Sequence, residues 1–256
     1  MTPTLPRLGL GTMGIDDPET IDAALDLGYR HLDTAQVYGN ERVVGDGLAQ
    51  SDVPREEVTV ATKVWADSLA PEDVRRTTEE SLDRLDLESV DLLYVHRPIE
   101  TYDPETTLPA FDDLRADGLI DAVGLSNFAV DELETAREFL DAPIAAHQVE
   151  FHPLFQPEGV LEHAREHEYP IVAYSPLAGG RVRDIDEVVA VAEAHDTTPE
   201  AVAIAWLLAK EGVTTIPKAS SRAHLEANLA AAELELDGEA CERIDGLERT
   251  AELFPE

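Results

Sequence analysis

The chain has 256 residues, of which 54 are acidic and 19 basic, and its formal net charge is −35 at pH 7. This charge disfavours nucleic-acid binding, because phosphate backbones are bound by clusters of Lys and Arg. The chain has no apolar run of the roughly 18 residues that a membrane helix needs, its first residues do not resemble a signal peptide, and Cys241 is its single cysteine. We therefore expect a cytoplasmic protein with no membrane anchor, no disulfide and no metal site.

Short apolar runs alternate with amphipathic stretches of helical length along the whole chain. This alternation is typical of a parallel sheet built from βα units. The predicted strands are, in chain order, Leu8–Gly11, Arg30–Asp33, Val58–Lys63, Val90–His96, Ala122–Ser126, Ala145–Glu150, Ile171–Ser175 and Thr214–Lys218.

Helices are predicted between these strands and after the last one. Residues 71–85 carry an apolar stripe of helical period, and Thr198-Pro199-Glu200 has the N-cap, first-position proline and acidic first turn of a helix start. A last helix is predicted near residues 238–247. Eight βα units predict a (β/α)₈ TIM barrel forming a single domain over residues 1–256. The alternative is an open doubly wound sheet, but no Gly-x-Gly-x-x-Gly follows the first strand.

Polar side chains collect where the predicted strands end. They are Asp33, Lys63, His96, Ser126, Asn127, Gln148, Glu150, Tyr174, Ser175 and Lys218. Catalytic barrels draw their active-site residues from the carboxyl ends of several strands, whereas a purely structural barrel has little reason to place ionisable groups there. The set favours an enzyme, although a single residue such as His96 is more often a hydrogen-bonded interior histidine.

These strand ends lie within motifs that occur in a fixed order. They are Gly9-Leu-Gly-Thr12, Asp33-Thr-Ala-Gln-Val-Tyr-Gly-Asn-Glu41, Lys63-Val-Trp65, Asp91-Leu-Leu-Tyr-Val-His96, Gly124-Leu-Ser-Asn-Phe128, Gln148-Val-Glu-Phe-His-Pro153, Tyr174-Ser-Pro-Leu177 and Ile216-Pro-Lys218. With these motifs the chain resembles the aldo-keto reductase family over nearly its whole length. The resemblance implies reduction of aldehydes or ketones by a nicotinamide dinucleotide.

The resemblance implies a catalytic tetrad of Asp33, Tyr38, Lys63 and His96. Tyr38 would donate the proton to the oxygen that becomes negatively charged, and the Lys63 ammonium would lower the pKa of that phenol from about 10. Asp33 would neutralise and orient Lys63, and His96 would orient the carbonyl oxygen. The competing interpretation is a structural Lys63–Asp33 ion pair beside a Tyr38 that only packs.

The resemblance also implies a set of cofactor-binding residues. They are Gly11, Thr12, Ser126, Asn127, Gln148, Tyr174, Ser175, Leu177, Lys218, Ser220, His224 and Asn228. Ser126, Asn127 and Gln148 would bind the nicotinamide carboxamide, which needs both donors and acceptors, and Tyr174 would stack on the ring.

The residues implied for the adenine end depart from the family pattern. Lys218 and Ser220 stand where the family binds the 2′-phosphate of NADPH, but His224 replaces the usual arginine. A neutral histidine offers one donor where arginine offers a charged fork. Compensation by Arg222 is the alternative, but residues two apart point to different faces of a helix. We expect NADPH to be used, with appreciable NADH activity, and the alternative is strict use of NADH.

Three residues are expected at the substrate side. Met13 and Trp65 would supply apolar walls, and Arg97 would either bind an anionic substrate or pair with Glu100 or Asp103 at the surface, the interpretation that we favour. The segment at residues 253–256 is short compared with family members whose C-terminal tail covers the pocket, so we expect an open pocket for a small carbonyl compound.

Two other functions explain part of the pattern. One is a non-enzymatic, cofactor-binding regulatory subunit of the same fold, and the other is a lyase in which Lys63 forms a Schiff base. Neither explains the polar residues at 126, 127, 148 and 174 together with an intact tetrad.

The negative charge also predicts a dependence on salt. Like charges in this number destabilise a compact chain unless salt screens them, and the Debye length falls to about 3 Å near 1 M salt. The composition resembles that of proteins from halophilic microorganisms, and we expect a monomer that needs high salt. The alternative is an acidic protein that folds at ordinary salt.

Overall fold

The computed structural model describes residues 5–157, 159–247 and 251–254. Eight parallel strands pair in sequence order. They are β1 (Leu10–Gly11), β2 (His31–Asp33), β3 (Thr59–Val64), β4 (Val90–Val95), β5 (Ile120–Ser126), β6 (Ile144–Glu150), β7 (Ile171–Tyr174) and β8 (Val213–Thr215). The Gly9 N–H donates to the Thr215 carbonyl over 2.9 Å, and the Thr215 N–H donates to the Arg7 carbonyl over 3.0 Å. These bonds close the sheet into the predicted (β/α)₈ barrel, and the open-sheet alternative is wrong.

Helices surround the barrel. In the part of the chain that the structure describes they are α1 (Pro18–Leu27), α2 (Glu41–Gln50), α3 (Pro71–Leu85), α4 (Pro104–Ala116), α5 (Val130–Phe139), α6 (Val160–Glu166), α7 (Asp186–Ala194), α8 (Pro199–Leu208), α9 (Arg222–Ala232) and α10 (Gly238–Asp245). The Thr198 hydroxyl accepts a hydrogen bond from the Ala201 N–H at 3.2 Å, which confirms the predicted helix start. None of these helices has the length and apolarity needed to cross a bilayer.

Several strands end earlier than predicted, and each has a local cause. Ser175, with φ 51°, adopts a left-handed conformation that stops β7 at Tyr174. The predicted eighth strand contains Pro217, which lacks an N–H for the ladder, and β8 ends at Thr215. Lys218 therefore lies in the loop after the strand.

The interior of the barrel is filled by small and aliphatic side chains around one tyrosine. Tyr94 is fully buried beside Ala61, Leu92 and Val172. A Cβ on Gly124 would come within 2.4 Å of the Tyr94 ring, so only glycine fits there. Because these side chains fill the interior of the barrel, the polar side chains of the predicted site lie at the carboxyl ends of the strands.

Candidate active site

A cavity of about 260 Å³ opens at the carboxyl ends of the strands. Most residues of the predicted site line it, namely Gly11, Thr12, Met13, Asp33, Tyr38, Trp65, His96, Arg97, Asn127, Gln148, Tyr174, Ser175 and Lys218. Four further residues of its wall were not predicted, namely Val37, Pro176, Ile216 and Phe254. Val37 and Pro176 are adjacent in sequence to a predicted site residue and Ile216 lies two residues before Lys218, whereas Phe254 has no such neighbour.

Tyr38 lies at the end of a 3₁₀ turn, Gln36–Tyr38, that follows β2. The side chain of Gln36 holds this turn in place. Its Oε1 accepts from the Trp65 N–H at 3.2 Å, and its Nε2 donates to the Thr77 carbonyl at 3.1 Å. The turn is thus tied to the end of β3 and to α3, which fixes the phenol at the cavity wall.

Lys63 comes from β3 and is completely buried. Its ammonium donates to the Asp33 carboxylate and, at 2.7 Å, to the Thr34 carbonyl. It lies 5.4 Å from the centroid of the Tyr38 ring. Asp33 also accepts from Gln148 Nε2 at 2.7 Å, so both members of the buried ion pair are hydrogen-bonded. An ammonium held in this way is a poor nucleophile, which argues against the Schiff-base lyase.

Burial has the largest effect on the pKa of Tyr38. Desolvation raises the pKa of the phenol above 10.0, and the charge and hydrogen bond of Lys63 offset only part of this effect, while Asp33 adds to it. The predicted net lowering of this pKa is therefore wrong. The consequence is that Tyr38 is a neutral phenol with a proton to give.

His96 directly follows β4 and faces two aromatic rings. Its ring centroid lies 4.9 Å from that of Trp65 and 6.1 Å from that of Tyr38, both edge to face. Burial, and then the positive charges of Lys63 and Arg97, lower the pKa of His96 from 6.5 to about 2. The imidazole is therefore neutral, with one N–H that can donate to a ligand oxygen.

Asn127 links three strand ends. Its backbone is left-handed, with φ 62°, directly after β5. Its Nδ2 donates to the His96 carbonyl and to Ser126 Oγ, both at 3.0 Å, and its Oδ1 accepts from the Tyr174 hydroxyl at 2.9 Å. Ser126 is buried behind it and does not line the cavity. The network holds one edge of the Tyr174 ring at the cavity wall.

The residues predicted for the adenine end extend from the cavity along α9. Lys218 lines the cavity, and Ser220 and His224 are exposed beyond it. Arg222 forms an exposed ion pair with Glu226, one helical turn further along α9, at 3.1 Å.

Two predicted cofactor-binding residues, Asn228 and Leu177, do not line the cavity. Asn228 is buried, and among the described residues its Nδ2 has no hydrogen-bond partner. Leu177 is half-buried after β7 and does not line the cavity.

Arg97 does not form the predicted surface ion pair. Within the described residues it makes no ion pair with Glu100 or Asp103, and its guanidinium donates to the Phe254 carbonyl at 3.0 Å. Met13 and Trp65 lie in the cavity wall as predicted.

Residues 251–254 form a C-terminal strap beside the cavity, and Phe254 lines the cavity wall. The N–H groups of Leu253 and Phe254 donate to the Glu150 carboxylate over 2.6 and 3.1 Å, and His152 Nε2 lies 2.8 Å from the same group. Burial would raise the pKa of Glu150, but these hydrogen bonds together hold it below its usual value. The Phe254 ring centroid lies 5.9 Å from that of Tyr174. The C-terminal strap therefore supplies one wall of the pocket through Phe254.

Comparison with known proteins agrees with this geometry. Residues 7–249 match the model of the aldo/keto reductase family. The chain is 36% identical to a methylglyoxal reductase, DkgB, of Escherichia coli O157:H7 over 95% of this chain and 93% of that protein. It is 33% identical to a glyoxal reductase of Bacillus subtilis over 98% and 92% of the two chains.

A solved structure of an aldo-keto reductase from a Medee basin deep-sea metagenome library superposes with a TM-score of 0.93, at 32% identity over 99% of this chain and 95% of that one. The chain therefore belongs to the aldo/keto reductase family and is an oxidoreductase that reduces carbonyl groups with NAD(P)H.

Proposed function

We propose that this enzyme reduces small aldehydes and ketones with NADPH, and that Tyr38 is the proton donor. The observation that carries the proposal is that Asp33, Tyr38 and His96 line one cavity, while the buried Lys63 pairs with Asp33 and lies 5.4 Å from the centroid of the Tyr38 ring. A regulatory subunit without catalytic activity would not need this arrangement, and we do not favour that alternative.

The donor groups at the cavity fit a nicotinamide dinucleotide. When bound, this cofactor supplies the hydride to the carbonyl carbon. The amide groups of Asn127 and Gln148 suit its carboxamide, Tyr174 offers an aromatic face, and Lys218 places a positive charge on the same cavity. The unpartnered Nδ2 of Asn228 suits the adenine end.

Proton transfer follows from the geometry around Tyr38. The phenol O–H donates its proton to the substrate oxygen, and the phenolate that remains is stabilised by the buried Lys63 ammonium. Asp33 keeps Lys63 in place. The neutral His96 donates a hydrogen bond to the same oxygen and so orients the carbonyl group.

We predict that kcat for reduction is constant between about pH 5 and about pH 9. His96, with a pKa of about 2, stays neutral over this range, and Tyr38, with a raised pKa, stays protonated until the pH rises above it. The measurement is kcat against pH at saturating substrate and cofactor. A step near pH 6.5 that disappears in His96→Gln would contradict the neutral imidazole.

We propose that His224 weakens the preference for NADPH. In His224→Arg, we expect the ratio of kcat/KM for NADPH to that for NADH to rise at least about tenfold, because arginine adds a charged, bidentate phosphate ligand. His195→Arg, which places the same charge beyond α7, is the matched control and should leave the ratio unchanged. An equal ratio in His224→Arg and the wild type would remove residue 224 from the phosphate site.

The substrates that we propose are small α-dicarbonyl compounds. The cavity is small and narrowed by Phe254 and Trp65, and two relatives are named for methylglyoxal and glyoxal. The test is oxidation of NADPH with methylglyoxal, glyoxal, a 2-keto acid and a bulky aromatic ketone, in the wild type and in Arg97→Ala. Absence of turnover with all four compounds at high salt would overturn the proposed function.

We further propose that the enzyme is a monomer in the cytoplasm of a halophilic, prokaryotic organism. The net charge of −35 supports this proposal, because it opposes association unless salt screens it. Sedimentation at high salt measures the oligomeric state directly.

A further inference from the structure

A second cluster of polar side chains lies in the outer helical layer. It consists of Glu134 on α5, His163 on α6, and His167, which directly follows α6. One ligand atom of each residue lies within 4.8 Å of the others. Among residues 5–157, 159–247 and 251–254, it is the only such group of three or more His, Cys, Asp or Glu residues. None of the three lines the active-site cavity.

Both imidazoles are directed at the same carboxylate oxygen. His163 Nε2 lies 2.7 Å and His167 Nε2 lies 3.1 Å from Glu134 Oε1. Histidines four residues apart share one face of a helix, and these two ring centroids are 4.4 Å apart. Two ring nitrogens and a carboxylate oxygen that converge on one point are a ligand set that Zn²⁺ and similar ions prefer.

The surroundings orient the first ligand. The Tyr169 hydroxyl lies 2.5 Å from His163 Nδ1. A metal-binding histidine commonly uses its second ring nitrogen in this way, which fixes the ring and leaves the other nitrogen for the metal. The His163 side chain is 5% exposed, whereas that of Glu134 is 54% exposed. Packing therefore holds one ligand, and the open side leaves room for water as a fourth ligand.

The charges around the cluster are compatible with a cation. Arg137 is 3.8 Å from Glu134 Oε2, so it faces the oxygen that the histidines do not use. The hydrogen bond from His163, foremost, holds the pKa of Glu134 below its usual value, and the carboxylate is charged at neutral pH.

We propose that Glu134, His163 and His167 bind one divalent transition-metal ion, best fitted by Zn²⁺, which joins α5 to α6. The two hydrogen bonds to Glu134 Oε1 would give way to bonds from all three ligands to the ion. In the sequence, only the His-x-x-x-His spacing indicates this site. Glu134 is 29 residues before His163, so its proximity to the histidines depends on the fold.

The test is calorimetric titration of the full chain, without a polyhistidine tag and stripped of metal, with ZnCl₂ at neutral pH. We expect one Zn²⁺ per chain and, at a hundredfold excess over Kd, a rise of about 5 to 10 °C in the unfolding midpoint. Carbonyl reduction should be unchanged in the variants below, which separates this proposal from the proposed function.

Two ligand variants and one control variant test whether these side chains bind Zn²⁺. His167→Gln and Glu134→Gln should each weaken Zn²⁺ binding at least about tenfold, and because each changes a different element, one remains informative if the other does not fold. His195→Gln removes a histidine outside the cluster and should bind Zn²⁺ like the wild type. Equal affinity in the wild type and in either folded ligand variant, or no binding by the wild type, would overturn the proposal.

Discussion

Tyr38→Phe should lower kcat for carbonyl reduction by about 10²- to 10⁴-fold, the range for loss of a general acid. Phenylalanine keeps the ring against His96 but has no proton to give. Among the described residues that line the cavity, no other side chain combines a transferable proton with contact to the Lys63 ammonium. The Kd for NADPH, measured by quenching of tryptophan fluorescence, should stay within about twofold, because Tyr38 acts on the substrate oxygen.

Tyr102→Phe is the matched control. Tyr102 packs edge to face on Phe128, with ring centroids 5.4 Å apart, and does not line the cavity. This variant loses the same hydroxyl group and should keep wild-type kcat. If Tyr38→Phe retained more than about a tenth of wild-type kcat, Tyr38 would not be the proton donor.

The midpoint of thermal unfolding should rise by at least about 10 °C when KCl is increased from about 0.1 M to about 2 M. The reason is the net charge of −35, whose self-repulsion is largely screened once the Debye length is about 3 Å or less. Activity should follow the folded fraction, with loss in dilute buffer and recovery on addition of salt.

Sucrose distinguishes screening from a general effect of a cosolvent. An excluded osmolyte strengthens burial without screening charge, so it should give only a small part of the shift that KCl gives. A midpoint that is the same in dilute buffer and in high salt would mean that the chain tolerates its charge, and the proposal of a halophilic source would be wrong.

The barrel, and the proximity of the four residues proposed as a tetrad, were predictable from sequence because both depend on local patterns. Alternation of apolar runs defines the strands, and each tetrad residue lies at or just after a strand end within a recognisable motif. The net direction of the Tyr38 pKa was not predictable, because proximity to Lys63 can be inferred from motifs whereas the extent of burial cannot.

Contacts between distant parts of the chain were also beyond prediction. Glu150 binds N–H groups about a hundred residues later in the chain, and nothing in the composition of residues 251–254 indicates this. Helix α7 was not predicted individually, whereas the start of α8 was predicted from Thr198, Pro199 and Glu200.

The C-terminal strap places substrate selection and proton transfer on different parts of the chain. The side chains that we propose for proton transfer lie at or near the ends of barrel strands, whereas Phe254 lies on a segment outside the barrel that is attached through Glu150 and Arg97. Exchanging the side chain at 254 for a smaller or larger one would alter which carbonyl compounds are admitted while the chemistry stays intact. A change of the residue at this position in a relative would therefore change its substrate range without a change in its catalytic residues.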